Sequence, residues 1–396
     1  MVFIGMMRLQ SMRVMLAALA FAGLSACASY QPVPLEDFSF RERVETEEQD
    51  GLRVSVSVLS REEAREAFGV NLEKRNIQPV WLEIENRTDK NFWFMMTGLD
   101  PNYFSPHEAA YMNRIRFGGK ANEQMNAYFS DVGINQFVES GKTNRGFVFA
   151  NETIGTKEIR VRLYSNKDVR TFNFFVSVPG IISDWDRKDL ALIAEKVETV
   201  TDDDAGLREA LRSLPCCSQK QDGTGEGDPL NLVLIGDGSI LKAFVVAGWD
   251  EAAFRQDLRS LFGAAYLYGR PPDVQFQKSR RRVDSINLVR LWITPIRYRG
   301  KVVVVGSVER NIDPNVDEAA HYVVEDLAIS ENVRRYGVVD GVGAVSRRNP
   351  RQDLFNSPYW TDGNRAVLEI ADQPVKLKDV RFFDWDWETR NLGGDK

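Results

Sequence analysis

The sequence predicts a multidomain α+β protein: an immunoglobulin-like β-sandwich, then a helical connector, then a mixed α/β layer domain. Before residue 180, short apolar-alternating runs follow one another with turn residues between them, as in sandwiches. Residues 181–226 are polar and carry helical spacing. After residue 227, helical and strand patterns are mixed, as in layered folds. The 396 residues suffice for two domains of about 150 residues each, plus a leader.

Five segments follow from this division. We expect a signal peptide over residues 1–26, an acylated tether over 27–50, the sandwich over 51–180, the connector over 181–226 and the C-terminal domain over 227–390. The net charge of −6 argues against nucleic-acid binding, which needs concentrated lysine and arginine. We therefore expect no nucleic-acid partner.

The leader indicates export and a lipid anchor. Its apolar run, Val14–Leu24, is too short to span a bilayer and matches a signal-peptide core. It ends in Leu24-Ser25-Ala26-Cys27, which resembles a bacterial lipobox, where the cysteine thiol takes a diacylglycerol. We expect an anchored protein of the bacterial cell envelope facing the periplasm, on the outer membrane rather than the inner one. The alternative is an ordinary signal peptide cut near Ala26 or Ala28.

The predicted sandwich consists of period-two runs and two helical insertions. Ser105-Pro106-His107-Glu108 is a capping box with proline at the first helical position, and a second short helix is expected over Asn122–Phe129. The expected strands are Leu52–Val58, Val80–Asn86, Phe92–Met95, Gly146–Phe149, Ile159–Tyr164 and Thr171–Val178.

The connector is expected to hold two helices. Apolar residues recur at helical spacing over Leu190–Val197 and again over Leu207–Leu214. Cys216 and Cys217 follow, and adjacent cysteines rarely bond to each other because the eight-membered ring strains disulfide geometry. One buried and one free thiol are therefore expected. The chain has two histidines, which excludes a multi-histidine metal site.

The C-terminal domain opens on the apolar strand Leu230–Ile235, and Gly236-Asp237-Gly238-Ser239 after it is interpreted as a tight βα turn. A nucleotide loop is disfavoured, because a dinucleotide fingerprint needs glycine where Leu241 stands. The further predicted elements are helices over Ile240–Ala247, Asp250–Phe262 and Asp317–Ala328, a hairpin of Leu288–Ile296 and Val302–Val305 across Arg299-Gly300, and late strands over Val367–Ile370 and Val380–Phe383.

Several blocks in this region resemble the LssY C-terminal domain family. They occur in one order between about residues 214 and 340: Gly227–Leu234, Ala247-Gly248-Trp249, Tyr268–Asp273, Phe276-Gln277, Val289–Trp292 and Ile312–Asp317. The resemblance implies a bacterial envelope domain without an assigned reaction, sometimes fused to membrane proteins of the DedA and phosphatidic-acid-phosphatase types. The family pattern often has a histidine where this chain has Leu288.

Two groups of side chains are candidate sites. Cations concentrate at Arg270, Arg280–Arg282 and Arg290, and guanidinium groups match phosphate or carboxylate geometry. Their alternative role is a solvated turn between strands. Asp317, His321 and Glu325 recur every four residues on one predicted helix, with Asp313 just before it. This second group has the chemistry for a divalent metal or a proton relay, but one histidine is few for zinc, so a solvated helix face is favoured.

Two functions are compatible with the sequence. The preferred one is a non-enzymatic interaction or assembly module, anchored to the membrane through Cys27 and partnered with envelope proteins, without metal or cofactor. The alternative is an envelope hydrolase or lipid-modifying enzyme that uses the acids around Asp313–Glu325. A polar pocket lined by Asp313, Asp317, His321 and Arg290 would favour the enzyme.

Overall fold

The computed structural model describes residues 30–35, 38–180, 199–252, 265–280, 285–311, 313–354 and 356–385. It is a mixed α+β structure with several antiparallel sheets. The chain divides into two compact units, one formed up to Glu152 with Ile159–Phe174, and the other by Thr153–Glu158 with Phe175 onward. Within the described ranges, each helix is too short or too polar to cross a membrane.

The first unit contains two four-stranded sheets. The first sheet has the order β1-β2-β3-β6 and is antiparallel throughout, and the second has the order β5-β4-β7-β8. The strands are β1 (Glu45–Gln49), β2 (Leu52–Val58), β3 (Ile77–Asn86), β4 (Phe92–Phe94), β5 (Phe137–Val138), β6 (Thr143–Asn151), β7 (Thr156–Ser165) and β8 (Asp168–Ser177). All six strands expected here are present, and β1 and β5 are additional. β1 is an edge strand whose five residues are all exposed.

Local sequence signals explain the helices of this unit. In α3 (Pro106–Met112) the capping box is formed as expected: Ser105 accepts from the Glu108 amide, and Glu108 accepts from the Ser105 amide. A second capping box, Ser60 with Glu63, starts α1 (Arg61–Phe68), which the sequence reasoning missed. The remaining helices are α2 (Met96–Leu99) and α4 (Gly119–Val132).

The stretch expected to be a tether contributes to the core of the first unit. Tyr30, Phe38 and Phe40 are buried in the same apolar cluster as Phe68 and Phe129. A 3₁₀ helix, Ser39–Arg43, carries Phe40 into that cluster and leads directly to β1. A segment whose side chains are buried in a core cannot act as a flexible tether. The described part of residues 27–50 therefore belongs to the folded first unit.

The second unit is built on a nine-stranded mixed sheet. Its order is β11-β12-β13-β14-β10-β18-β15-β19, and β9 pairs in parallel with β13. The strands are β9 (Thr199–Thr201), β10 (Leu232–Ile235), β11 (Asp250–Glu251), β12 (Val274–Arg280), β13 (Ser285–Tyr298), β14 (Lys301–Arg310), β15 (Val333–Asp340), β18 (Asn364–Ile370) and β19 (Arg381–Phe382), with the separate pair β16 (Arg351–Gln352) and β17 (Pro358–Tyr359).

Helices cover both faces of this sheet. Leu232 and Leu234 of β10 pack with α6 (Ser239–Val246) and α7 (Val316–Ile329). Val233 and Ile235 face the other way, toward α5 (Asp204–Arg212). Burial on both faces explains why β10 is a continuous apolar run rather than an alternating one. A final 3₁₀ turn, Leu377–Asp379, precedes β19.

The expected hairpin across Arg299-Gly300 is present between β13 and β14. Both turn residues have positive φ, +50° and +77°, as the tightest twisted hairpins require. The expected helix from Asp250 is not seen at its start, because Asp250–Glu251 forms β11; residues 253–262 lie outside the described part. The helix expected near Leu190 also lies outside it, whereas α5 agrees with its prediction and packs in the core of the second unit.

Candidate functional site

A buried cluster of charged side chains lies in the second unit, next to the start of β10. Asp228 stands just before Pro229 and β10, and Arg290 lies on β13. Arg290 Nη1 donates a hydrogen bond of 2.6 Å to Asp228 Oδ2, and the two side chains are 3% and 2% exposed. The same nitrogen donates to Glu309 Oε1. One guanidinium therefore serves two carboxyl groups away from water.

Strand register brings Glu309 to this position. Arg290 lies opposite Ser307 on β14, so Glu309, two residues further, shares the same face of the sheet. The Asp228 carboxylate comes from a loop rather than from a strand. Its backbone amide donates to Ser218 Oγ at 2.9 Å, and its carbonyl accepts from the Ser218 amide at 2.9 Å. These two hydrogen bonds fix the position of the loop that carries Asp228.

Burial changes the acidity of the two carboxyl groups. It raises the pKa of Glu309 well above its usual range; the positive charge of Arg290 opposes the shift, and the neighbouring Asp228 adds to it. Burial likewise raises the pKa of Asp228, again against the effect of Arg290. For Arg290, burial acts to lower the pKa, but Glu309 and Asp228 outweigh it and the pKa is raised. The cluster can therefore hold a proton on a carboxyl group beside a permanent cation.

The two adjacent cysteines lie next to this cluster. Cys216 and Cys217 are joined in a disulfide, contrary to the expectation of one buried and one free thiol. Hydrogen bonds on both sides hold the segment: the Leu230 amide donates to the Cys216 carbonyl, and the Gly227 amide to the Ser218 carbonyl. Among the described residues, the cysteine sulfurs and Glu226 form the one group with metal-ligand spacing. In the disulfide, however, the sulfurs carry no thiolate charge, and Glu226 pairs with Arg351 at 3.1 Å.

Of the other predicted cations, Arg270 is the one whose side chain the structure describes, and it forms an ion pair of its own. Arg270 binds Asp273 through two nitrogens, each at 2.9 Å, and donates to the Ile293 carbonyl at 2.6 Å. Arg280 contributes backbone to β12, but its side chain lies outside the description, as do Arg281 and Arg282. The two predicted arginines whose side chains are described, Arg270 and Arg290, are therefore each engaged in an ion pair within the protein.

The acidic group around α7 has separate local roles. Asp313 accepts from the Asn315 amide at 2.9 Å and pairs with Arg310 at 3.4 Å. Asp317 accepts from Thr361 Oγ1 and from the Asp362 amide, each at 2.6 Å, and burial raises its pKa.

The expectation of one shared helix face holds geometrically for the α7 residues. His321 and Glu325 are exposed on α7, one and two turns after Asp317. Asp317 itself is committed to the loop at Thr361 and Asp362 through the two hydrogen bonds given above.

A second feature, which the sequence reasoning did not single out, lies on the outer face of the sheet that contains β4. Trp93 of β4 is the register partner of both Phe137 on β5 and Tyr164 on β7. The three rings form a row, with the Trp93 and Phe137 centroids 6.4 Å apart. All three are 40–49% exposed, as is Met95. We call these three residues the aromatic row.

A groove of about 320 Å³ adjoins the aromatic row. The stem of Arg162 packs beside Gly98 of α2, the residue that follows Thr97 of the groove. The sequence predicted the strands at Phe92–Met95 and Ile159–Tyr164, but neither their pairing nor the strand β5. In the structure Phe92 and Phe94 are buried and Trp93 is exposed. The groove is lined by Trp93, Met95, Met96, Thr97, Tyr103, Gln136 and Tyr164.

Cys27, the expected lipidation site, lies outside the described residues. A scan of the chain against protein-family models finds no match, and a search among curated proteins finds no related sequence. The resemblance to the LssY C-terminal domain family therefore stays a prediction.

Proposed function

We propose that this protein is a bacterial envelope lipoprotein that acts as a non-enzymatic interaction or assembly module. In this proposal an acyl group on Cys27 holds it to the outer membrane rather than the inner one, facing the periplasm. The first unit is an immunoglobulin-like sandwich, and the second is a separate LssY-like domain. The leader supports the anchor, and the two antiparallel sheets of the first unit agree with a sandwich.

The aromatic row carries the interaction part of the proposal. Large rings that stay about half exposed in one place are uncommon on a surface without partners. Tryptophan, tyrosine and methionine are also the side chains enriched at the centres of protein interfaces. Covering the aromatic row with a partner gains about 25 cal/mol of free energy per Å² of apolar surface removed from water. A few rings can therefore supply much of the binding free energy.

The groove indicates the chemistry of the partner. Met95, Met96 and the row provide an apolar floor, while Thr97 and Gln136 can hydrogen-bond a backbone. Arg162, which is exposed and packs beside Gly98 of α2, favours an acidic group near the apolar anchor. The partner is therefore an envelope protein that presents an apolar side chain next to a carboxylate.

Site-specific photocrosslinking in intact cells tests this function. A photoreactive phenylalanine analogue replaces Trp93 or Tyr164 in turn, and Ile329, 71% exposed on α7, is the matched control position. The expected result is one discrete adduct from positions 93 and 164, absent from position 329 and weakened by Met95→Asp. The same adducts from all three positions, or none from position 93, would refute the interaction surface.

The enzyme alternative has less support in the described residues. It required the acids around Asp313–Glu325 to line one pocket with Arg290. Asp313 and Asp317 are instead engaged in local hydrogen bonds, and Arg290 binds Asp228 and Glu309.

A further inference from the structure

The turn between α3 and α4 carries Phe117, the most exposed of the large apolar side chains that the structure describes. Phe117 is 93% exposed at its tip, and Tyr111, at the end of α3, is 58% exposed. Arg114, Arg116 and Lys120 surround them and are exposed as well. We call the segment Tyr111–Lys120 the basic loop.

The basic loop is held rigidly. The Asn122 side chain accepts from the Ile115 amide at 2.8 Å and donates to the Ile115 carbonyl at 2.9 Å. The Gly118 amide also donates to the Ile115 carbonyl, closing a tight turn. Phe117 has a φ of +62°, a left-handed conformation that is rare for a bulky residue. The turn therefore projects the ring into solvent despite backbone strain.

The charge of the basic loop is opposite to that of the chain. Residues 109–122 contain three cations and no acid in a protein of net charge −6. Arg114 and Arg116 make no carboxylate ion pair within the described residues. Their guanidinium groups lie over aromatic rings instead, 5.1 Å from Tyr111 and 5.0 Å from Phe117. Aromatic rings beside arginine are characteristic of protein segments at a membrane interface.

The predicted anchor starts close to the same part of the first unit. Tyr30 packs edge-on against Tyr128 of α4, with ring centroids 6.0 Å apart. Cys27 precedes Tyr30 by three residues, which span at most about 11 Å. Tyr128 lies nine residues along α4 from Gly119, about 14 Å at the helical rise. An acyl chain on Cys27 therefore keeps the basic loop within roughly 40 Å of the bilayer, counting the ring contact and the two tyrosine side chains.

We propose that the basic loop docks on the surface of an anionic phospholipid bilayer. Phe117 enters the headgroup region, and Arg114, Arg116 and Lys120 contact lipid phosphates. This proposal rests on the proposed envelope function for its place beside a membrane, but the contact itself requires no acyl group. The protein then meets the membrane at two points, one covalent and one electrostatic.

Vesicle sedimentation of the mature chain with Cys27→Ser, which carries no acyl group, tests the contact. The vesicles are phosphatidylglycerol with phosphatidylethanolamine at low salt, compared with pure phosphatidylcholine. Arg114→Gln with Arg116→Gln is expected to weaken binding about 25-fold, since each basic residue near an anionic surface contributes about fivefold. Phe117→Gly removes the ring and suits the left-handed turn, so it is expected to weaken binding about tenfold with the fold intact.

The controls separate this contact from general charge and from the anchor. Arg65→Gln with Arg145→Gln removes two exposed cations elsewhere in the first unit and is expected to leave binding within twofold. Equal binding to both vesicle types, or an equal loss in this control, would overturn the proposal. In cells, the release of Cys27→Ser from membranes is measured after a high-salt wash. Because salt screens the electrostatic contact of the basic loop, this measurement tests the acyl anchor alone. If the basic-loop substitutions do not weaken vesicle binding but Cys27→Ser is released from membranes in cells, the membrane contact is refuted and the lipoprotein proposal is retained.

Discussion

Asp228 and Arg290, 62 residues apart in the chain, form a buried ion pair of 2.6 Å. Arg290 also binds Glu309, so three charged groups from a loop and two strands meet inside the second unit. A buried pair is weak evidence for added stability, because desolvation opposes attraction, but its disruption leaves a charge without compensation. The cluster therefore makes the second unit sensitive to single substitutions.

Arg290→Met is expected to destabilise the second unit by about 3–5 kcal/mol, because it leaves Asp228 and Glu309 buried without their cation. Urea unfolding, followed by tryptophan fluorescence, measures the change. Arg299→Ala is the control: Arg299 is 54% exposed and pairs with Asp204 at 3.6 Å, so its loss is expected to cost at most about 1 kcal/mol. Equal effects of the two substitutions would contradict a structural role for the cluster.

Glu309 is expected to make the stability of the second unit depend on pH. Because burial raises its pKa in the folded state, its stabilising contribution is complete below the unfolded value, about 4.3, and is lost as the pH rises through the folded value. Glu309→Gln, which resembles the protonated form, is expected to reduce this decline and to leave the part that comes from Asp228, whose pKa is also raised. Unfolding free energies measured from pH 4 upward test this, with exposed Glu325→Gln as the control. A parallel decline in the wild type and in Glu309→Gln would show that another group is responsible.

Asp317 and His321, one turn apart on α7, are expected to differ in importance. Asp317→Ala removes both bonds to the loop at Thr361 and Asp362 and is expected to cost about 1–3 kcal/mol. His321→Ala is expected to stay within about 0.5 kcal/mol and to leave localisation unchanged, since His321 is exposed. Thermal unfolding with and without a chelator measures both effects. One tightly held metal per chain that is lost on His321→Ala would instead make α7 a metal site.

Cys27→Ser is expected to release the protein from the membrane fraction after a high-salt wash, because it removes the only thiol at the lipobox position. Fractionation of cells, followed by immunoblotting, measures the change. Cys216→Ser is the control and is expected to leave the protein in the membrane fraction. Retention of the Cys27→Ser variant would show that the leader does not place an acyl anchor there.

Trypsin is expected to cut after Lys220 before it cuts inside residues 51–178. Residues 220–226 are exposed, and the turn is held by a few backbone bonds, such as the one from the Lys220 amide to the Thr224 carbonyl. The fragments are expected to stay together in native size-exclusion chromatography, because Leu207 and Leu211 of α5 lie in the core of the second unit. Early cutting within β2 to β8, with Lys220 protected, would argue against the boundary.

Part of the candidate site could be found in the sequence. Arg290 was singled out for its chemistry, and Asp228 lies in the stretch Gly227–Leu234 used for the family resemblance. The sequence could not show that Arg290 and Asp228 are in contact, because that contact depends on which loop lies beside β13. The aromatic row was missed for the same reason: Trp93 meets Phe137 and Tyr164 only once β5 and β7 flank β4.

The sequence by itself determined the elements whose causes are local. The Ser105–Glu108 capping box, the Arg299-Gly300 hairpin turn, β2 and α7 each depend on residues within a few positions of one another. Only the tertiary structure decided that Tyr30 and Phe40 pack in the core, that α5 belongs to the second unit, and that Arg290 serves Asp228 and Glu309. Backbone geometry and capping act over one turn, whereas burial and ion pairing depend on strand order, which no short sequence pattern specifies.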